Sequence, residues 1–482
     1  MDKQKTVFIS ADHGLAIVYF LQTDVVKTLL EAGLRVVLLT DDHLLEKIRQ
    51  SFGTQGLIIE GLRLQQARAY LEKVDYSRQW WLDFFRRAGA SARMNLEAIN
   101  SYVDWVYAEA PPKRRMLFPL VRLILYVLRH SSPARRVVVN AQQRYTPRLY
   151  TDLFEQYQPT LVVASTPGWR LDRYLLREAN ARGVRTAAIV LGWDNPSSYA
   201  LPGAKVEYIS CWSEIQKHEL MVGSDWQEDR IHIGGIPSYD GYFRREWLLP
   251  REQYFQMHGL DPNRKLLSYA CSFVTFSPNI QNIEAIARLI AQDQLAAPCQ
   301  LLIRLHPNHF MENKRWSGER QQIYELTRRY PHVHVVEPVP LGGELGYYSG
   351  EDMHEKSSMM AHSDVFLTVY STMVVETSIH ETPIISVTID APKGWPGKYS
   401  LPLSQIGEWP THQRFRLSGA GRVASNEGEL KQAINDYLLD PQRDQEAQQN
   451  FIRKECTFTD GQSGKRTGAY LAQLAYSTGK AR

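Results

Sequence analysis

Cysteine is scarce in this 482-residue chain: Cys211, Cys271, Cys299 and Cys456 are its four, far apart and with no CxxC pair. That spacing indicates neither a disulfide framework nor a zinc site, and a reducing cytoplasm is the expected compartment. No stretch approaches the roughly 18 uninterrupted apolar residues of a membrane span. The N-terminal MDKQKTVFISADHG lacks the apolar h-region and small-residue cleavage site of a secretory signal and runs straight into a short apolar strand. Charge of one sign is also missing overall. The formal net charge of +4 is too small to indicate a nucleic-acid partner. Metal-ligand spacing is absent as well: Asp41 and Asp42 in TDD, and the acids around His354 in EDMHE, read as solvated faces. No metal and no cofactor are expected.

What is present is an ordinary globular composition, 44% hydrophobic and 22% charged, in a chain long enough for two or three domains. Apolar runs alternate with helical patterns. TVFIS (6–10), a helix pattern closed by Gly33, and RVVLLT (35–40) make a βαβ unit and predict a parallel sheet. Further runs fall at 160–166, 185–191, 208–212 and 231–235, with a mainly helical insertion over about 62–158. A second series begins at 263 and continues at 300–307, 332–338, 364–371 and 383–389. The expected division is an N-terminal α/β domain over 1–248, a linker at 249–263 holding Pro250, Gly259 and Pro262, and a C-terminal α/β domain over 264–482.

Chemistry gathers where the strands of the second series end. Ligands of open parallel sheets bind beyond the carboxyl ends of the strands. The stretch DVFLTVYSTMVVETSIHETPIISV (364–387) places Ser371 and Thr372 between a strand and a helix, with Glu376 in the first turn. Those hydroxyls either cap the helix or help hold a phosphate; Glu376 is either solvated or in reach of a ribose diol. LLIRLHPN brings Arg304, His306 and Asn308 to the same edge. YACSFVT brings Ser272 and Thr275, and a Gly- and Tyr-rich loop follows at 341–354. Arg304 sits within a strand, where a structural ion pair is the alternative to a donor contact.

The order of these motifs resembles the nucleotide-binding half of GT-B glycosyltransferases. The motifs are His306-Pro307, the Gly-Tyr loop, then Ser371-Thr372, Glu376 and Pro383 ahead of an apolar strand. The nearest groups are bacterial surface-polysaccharide transferases, the CDP-glycerol glycerophosphotransferases and the UDP-N-acetylglucosamine 2-epimerases. The GGIP turn at 234–237 with Tyr239 and Asp240 is similar to the end of that family's first domain, and FTDGQSGKRTGAYLAQLAY (457–475) to its closing helix. The resemblance implies two Rossmann-like domains facing across a cleft and a nucleotide-sugar donor used without an obligatory metal. By carry-over, Ser371 and Thr372 cradle the diphosphate, Glu376 binds the ribose, and His306 lies near the phosphates; Arg304, Ser272 and Thr275 complete the donor set. Val369-Tyr370-Ser371-Thr372 departs from the Asp-Tyr-Ser-Ser of the glycerophosphotransferases, which shifts weight toward a sugar donor. The Ser-Gly-Gly turn and wider acid set of the 2-epimerases are missing.

The acceptor and the base then belong to the N-terminal half. His13, with Asp12 orienting it, is the first expectation for the base, against a reading in which it only closes its turn. Asp194 is the second. Arg170, Trp193 and Asn195 are expected at the acceptor. The predicted activity is transfer of a sugar to a surface or envelope glycan or a lipid-linked acceptor. A glycerophosphotransferase and a non-catalytic nucleotide- or glycan-binding protein are the alternatives. One stretch stands apart: PPKRRMLFPLVRLILYVLRHSSPARR (111–136) sets arginines around a dense apolar helix. It is either a buried helix or a segment lying on anionic lipid, which would place the protein at the cytoplasmic membrane face.

Overall fold

The computed structural model describes residues 4–272, 278–310, 314–343, 346–390, 399 and 401–477. They form two units. Unit 1 comprises Met1–Asp240, Leu341–Tyr348 and Cys456–Arg482; unit 2 comprises Gly241–Pro340 and Ser349–Glu455.

Unit 1 is built on β1 (Thr6–Ser10), β2 (Arg35–Thr40), β3 (Leu57–Gly61), β4 (Leu161–Ala164), β5 (Arg185–Ile189), β6 (Tyr208–Cys211) and β7 (Ile231–Ile233). They form one sheet in the order β3-β2-β1-β4-β5-β6-β7, with every pairing parallel. Central strands of such a sheet are covered on both faces and so read as unbroken apolar runs. In β1, Val7 and Ile9 enter one core and Phe8 the other. The long helix expected after β1 is two helices, Ala16–Leu21 and Asp24–Glu31, because Thr23 leaves helical geometry and its side chain accepts from the Val25 N–H.

Unit 2 repeats the plan with β8 (Lys265–Ala270), β9 (Cys299–Arg304), β10 (Val333–Val336), β13 (Val365–Thr368), β14 (Ile384–Val387) and β15 (Arg422–Ala424). The order is β10-β9-β8-β13-β14-β15, again all parallel. A two-stranded ladder, β11 (Pro340–Gly342) and β12 (Tyr347–Tyr348), lies between β10 and β13 in sequence. Strand order reverses between β1 and β4 in one sheet and between β8 and β13 in the other. That reversal is where open α/β sheets leave a crevice for ligands.

Two expected boundaries need correction. The segment 249–263 is not a free linker: it contains the helix Arg251–His258, which buries Tyr254 and Phe255 in unit 2. The C-terminal tail belongs to unit 1 rather than to the second domain. The Asp240 carboxylate accepts the N–H groups of Ser463 (3.0 Å) and Gly464 (2.8 Å), capping the helix Ser463–Tyr476. That helix then lies against Asp24–Glu31. A Cβ on Gly468 would come within 2.6 Å of the Thr28 side chain and 2.9 Å of the Val25 carbonyl, so only glycine permits the approach.

Candidate functional site

In unit 2 the predicted donor residues that the structure describes flank the reversal between β8 and β13. Tyr370, two residues beyond β13, has φ of +37°, a left-handed turn that costs a non-glycine residue roughly 1–3 kcal/mol. Ser371 Oγ accepts from the Met373 N–H (3.3 Å) while the Ser371 and Thr372 carbonyls take the N–H groups of Val374 (3.2 Å) and Val375 (3.0 Å). Ser371 thus closes the turn that leads into the helix Met373–Ile379, whose N-cap position is Thr372. The backbone N–H groups of Ser371 and Thr372 donate to no acceptor among the described residues.

Glu376 is buried, and its two oxygens differ. Oε2 accepts from the Tyr242 hydroxyl at 2.8 Å and pairs with Lys356 Nζ at 2.5 Å; Oε1 has no partner among the described residues. A buried carboxylate is tolerable when it is paired and hydrogen-bonded. Here the pairing also fixes the direction of the open oxygen.

His306 stands at the end of β9. Its Nδ1 accepts from the Asn308 N–H (3.1 Å), which leaves its proton on Nε2. Burial, then the neighbouring His309 and Arg304, push its pKa down to about 3. It is thus a neutral N–H donor and not the cation that the departing diphosphate was expected to meet. Ser272 lies in a buried network: its N–H donates to Asn279 Oδ1 (3.1 Å), and Asn279 Nδ2 returns a bond to the Ser272 carbonyl (3.2 Å). The Asn279 N–H donates to Glu319, which pairs with His309 at 2.9 Å. His309 Nδ1 in turn accepts the His306 N–H (3.1 Å). One chain of bonds ties the loops after β8 and β9 together.

Arg304 is corrected. Its guanidinium is buried against Asp352 (2.5 Å) and Glu355, so the ion pair accounts for it and it leaves the donor set. Thr275 lies outside the described residues.

In unit 1 the end of β1 meets the loop after β4. The Asp12 N–H donates to Ser165 Oγ (3.0 Å), and Asp12 Oδ2 accepts the Asp172 N–H (2.7 Å). Asp172 Oδ2 accepts both the N–H (3.0 Å) and the hydroxyl (2.7 Å) of Thr166. The second oxygens, Asp12 Oδ1 and Asp172 Oδ1, are buried without a hydrogen-bond partner among the described residues. Half-exposed Arg170 stands 4.0 Å from Asp12 Oδ1. Burial raises the pKa of Asp12 against the pull of Arg170. Burial, and then the charge of Asp12, pushes Asp172 up to about 7.

Asp12 therefore spans to the β4 loop and does not orient His13. His13 Nδ1 accepts from the Leu15 N–H at 3.1 Å, and burial with Arg170 nearby pushes its pKa down to about 3. A neutral imidazole whose one lone pair is already engaged offers an N–H, not a base. After β5, Trp193 is 1% exposed, and Asn195 Oδ1 accepts the Gly192 N–H (2.7 Å). Gln216 donates to the carbonyls of Gly192 and Trp193, 3.1 Å each. Trp193 and Asn195 hold this loop in shape, which corrects their assignment to the acceptor. Asp194 remains partly open, with burial raising its pKa.

The residues missed from sequence are the partners: Lys356 and Tyr242 on Glu376, Glu319 in the strand-end network, and Asp172 against Asp12. Among the described residues no group of three or more His, Cys, Asp or Glu is placed to hold a metal ion.

No family model and no curated protein matches the sequence. Solved structures do match. S. aureus MnaA with UDP is 11% identical, with 99% of each chain covered and a TM-score of 0.54. The UDP-GlcNAc 2-epimerase of Neisseria meningitidis bound to UDP-GlcNAc is 12% identical, covering 98% of this chain and 100% of that one at a TM-score of 0.51. The UDP-GlcNAc 2-epimerase of Methanocaldococcus jannaschii is 10% identical over 98% and 100%, at 0.50. The fold is GT-B. The expected α/β class with two Rossmann-like domains is thereby shown.

Proposed function

We propose that this chain is a nucleotide-sugar-dependent glycosyltransferase that moves a sugar to a surface or envelope glycan or a lipid-linked acceptor. One observation carries the donor side: Glu376, beside the strand reversal of unit 2, has one oxygen held by Lys356 and Tyr242 and the other open. A carboxylate so fixed suits the paired hydroxyls of a ribose. The free N–H groups of Ser371 and Thr372 and the His306 imidazole supply neutral donors for a diphosphate, where charge grows as the nucleotide leaves. Ser272 belongs to the same set through its loop.

In a direct displacement the acceptor oxygen bonds to the anomeric carbon as the bond from that carbon to the diphosphate oxygen breaks. The acceptor proton must go to a base. Asp194 takes that role, because burial makes its carboxylate more basic than usual and His13 has no lone pair to give. His13 Nε2–H and Arg170 are assigned to acceptor oxygens. The Asp12 and Asp172 pair holds the two loops in register.

The likeness to UDP-GlcNAc 2-epimerases favours a second reading, epimerisation of the nucleotide sugar itself. Incubation with labelled UDP-sugars and with CDP-glycerol, with and without glycan acceptors, separates the classes by product. Acceptor-dependent release of nucleoside diphosphate is the expected result. An epimeric UDP-sugar formed without acceptor supports the second reading, and CMP released from CDP-glycerol a glycerophosphotransferase. Tight nucleotide binding with no turnover under any condition contradicts all three and leaves a binding protein.

A further inference from the structure

The helix Phe118–His130 buries one face and exposes another that is equally apolar. Phe118, Val121, Leu125 and Leu128 enter the core of the helical insertion. At the complementary spacing, Met116 (81% exposed), Leu120 (56%), Leu123 (59%) and Val127 (48%) face outward. A helix apolar on both sides is expected either deep in a core or against something the protein itself does not supply.

The charges say what that is. From Pro111 to Thr151 the sequence has nine Lys and Arg residues and no Asp or Glu. Some of these cations are engaged: Arg114 stacks on Trp80 at 4.2 Å, and Arg135 pairs with Asp225 at 2.6 Å. Lys113, Arg122 and Arg136 are exposed and have no acidic partner among the described residues. Among the described residues no helix is long and apolar enough to cross a membrane.

From these observations we infer that this face docks flat on an anionic lipid surface, with Leu120, Leu123 and Val127 entering the headgroup boundary and Lys113 and Arg122 meeting the lipid charge. A basic amphipathic helix binds such a surface through buried apolar area and electrostatic attraction together. The same charge disfavours a second copy of this chain as the occupant. In a two-fold interface this face would meet itself, arginine against arginine with no acid to pair. The inference is independent of the reaction assigned above.

Co-sedimentation of the full chain with lipid vesicles tests it, using phosphatidylcholine alone and phosphatidylcholine mixed with phosphatidylglycerol, at low and high salt. The parent chain binds the mixed vesicles at low salt and weakens as salt rises. Leu120→Glu with Leu123→Glu loses about tenfold or more in affinity, while thermal unfolding of the variant stays that of the parent because both side chains are exposed. Lys113→Gln with Arg122→Gln, which leaves the apolar stripe intact, loses about fivefold per charge at low salt and much less at high salt. Equal binding by parent and both variants, or no preference for the anionic vesicles, overturns the inference. So does a parent dimer that Leu120→Glu dissociates when no vesicle binding is seen.

Discussion

Glu376 divides its work between two oxygens, and that division is open to test. Glu376→Ala removes a charge-assisted bond to the donor and should weaken nucleotide-sugar affinity roughly 10- to 100-fold. Lys356→Met leaves the carboxylate present but no longer aimed, and the expected loss is smaller. Titration calorimetry on both variants gives the comparison. Asp194→Asn should lower turnover by about 10²- to 10⁴-fold while donor affinity stays unchanged, read from initial rates beside the same titration.

Asp172 carries a pH signature. Its carboxyl is pushed up to about 7 in the fold, so the native state holds that proton more tightly than the unfolded chain does. The contribution is therefore full below the ordinary carboxylate range and is lost as pH rises toward about 7. Asp172→Asn keeps the oxygen that accepts from Thr166 and has no proton to lose. Its stability relative to the parent should rise across that window and level off above it, as urea unfolding at a series of pH values will show. The comparison with the parent matters, because His13 and His306, held near 3, act in the opposite sense. Neutral in the fold, they cost stability as pH falls below the usual histidine range.

Among elements, the closing helix Ser463–Tyr476 is the most sensitive joint. Gly468→Leu forces a side chain into the Thr28 side chain and the Val25 carbonyl and should cost about 1–3 kcal/mol. Asp240→Ala, which uncaps the helix, should cost about 1 kcal/mol. Both are measured as shifts in the unfolding midpoint. The strands show what kind of element a sequence displays. β1, β2, β9 and β13 are buried on both faces and were legible as apolar runs. β3 and β15 were not, because each is an edge strand, half covered, with Glu60 in one and only three residues in the other. The helix boundary at Thr23 was hidden inside a continuous apolar pattern. Its signal, Thr followed by Asp at a helix start, was present but short.

For the whole molecule, the same distinction runs through the candidate site. Residues that follow a strand directly, such as Asp12, His306 and Ser371, were legible because a parallel sheet carries every strand end to one edge. Their partners were not: Tyr242 reaches Glu376 from 134 positions away, and Glu319 reaches Asn279 from 40. Only the packed fold brings those together. The same packing turned Arg304, Trp193 and Asn195 from expected ligand contacts into supports. Because the donors assigned to the diphosphate are N–H groups, activity should persist after dialysis against EDTA, with rates within about twofold of the untreated protein on the account of neutral-donor stabilisation.

The central claim is that unit 2 holds a nucleotide sugar through Glu376. A ligand that binds only the folded state stabilises it by about 2.7 kcal/mol at one hundred times its dissociation constant, so thermal unfolding of parent and Glu376→Ala across a set of nucleotides and nucleotide sugars tests the claim directly. The account predicts a concentration-dependent rise in midpoint for at least one nucleotide sugar in the parent, and a much smaller rise in the variant at the same concentration. An equal rise in both proteins, or none with any nucleotide, would contradict it.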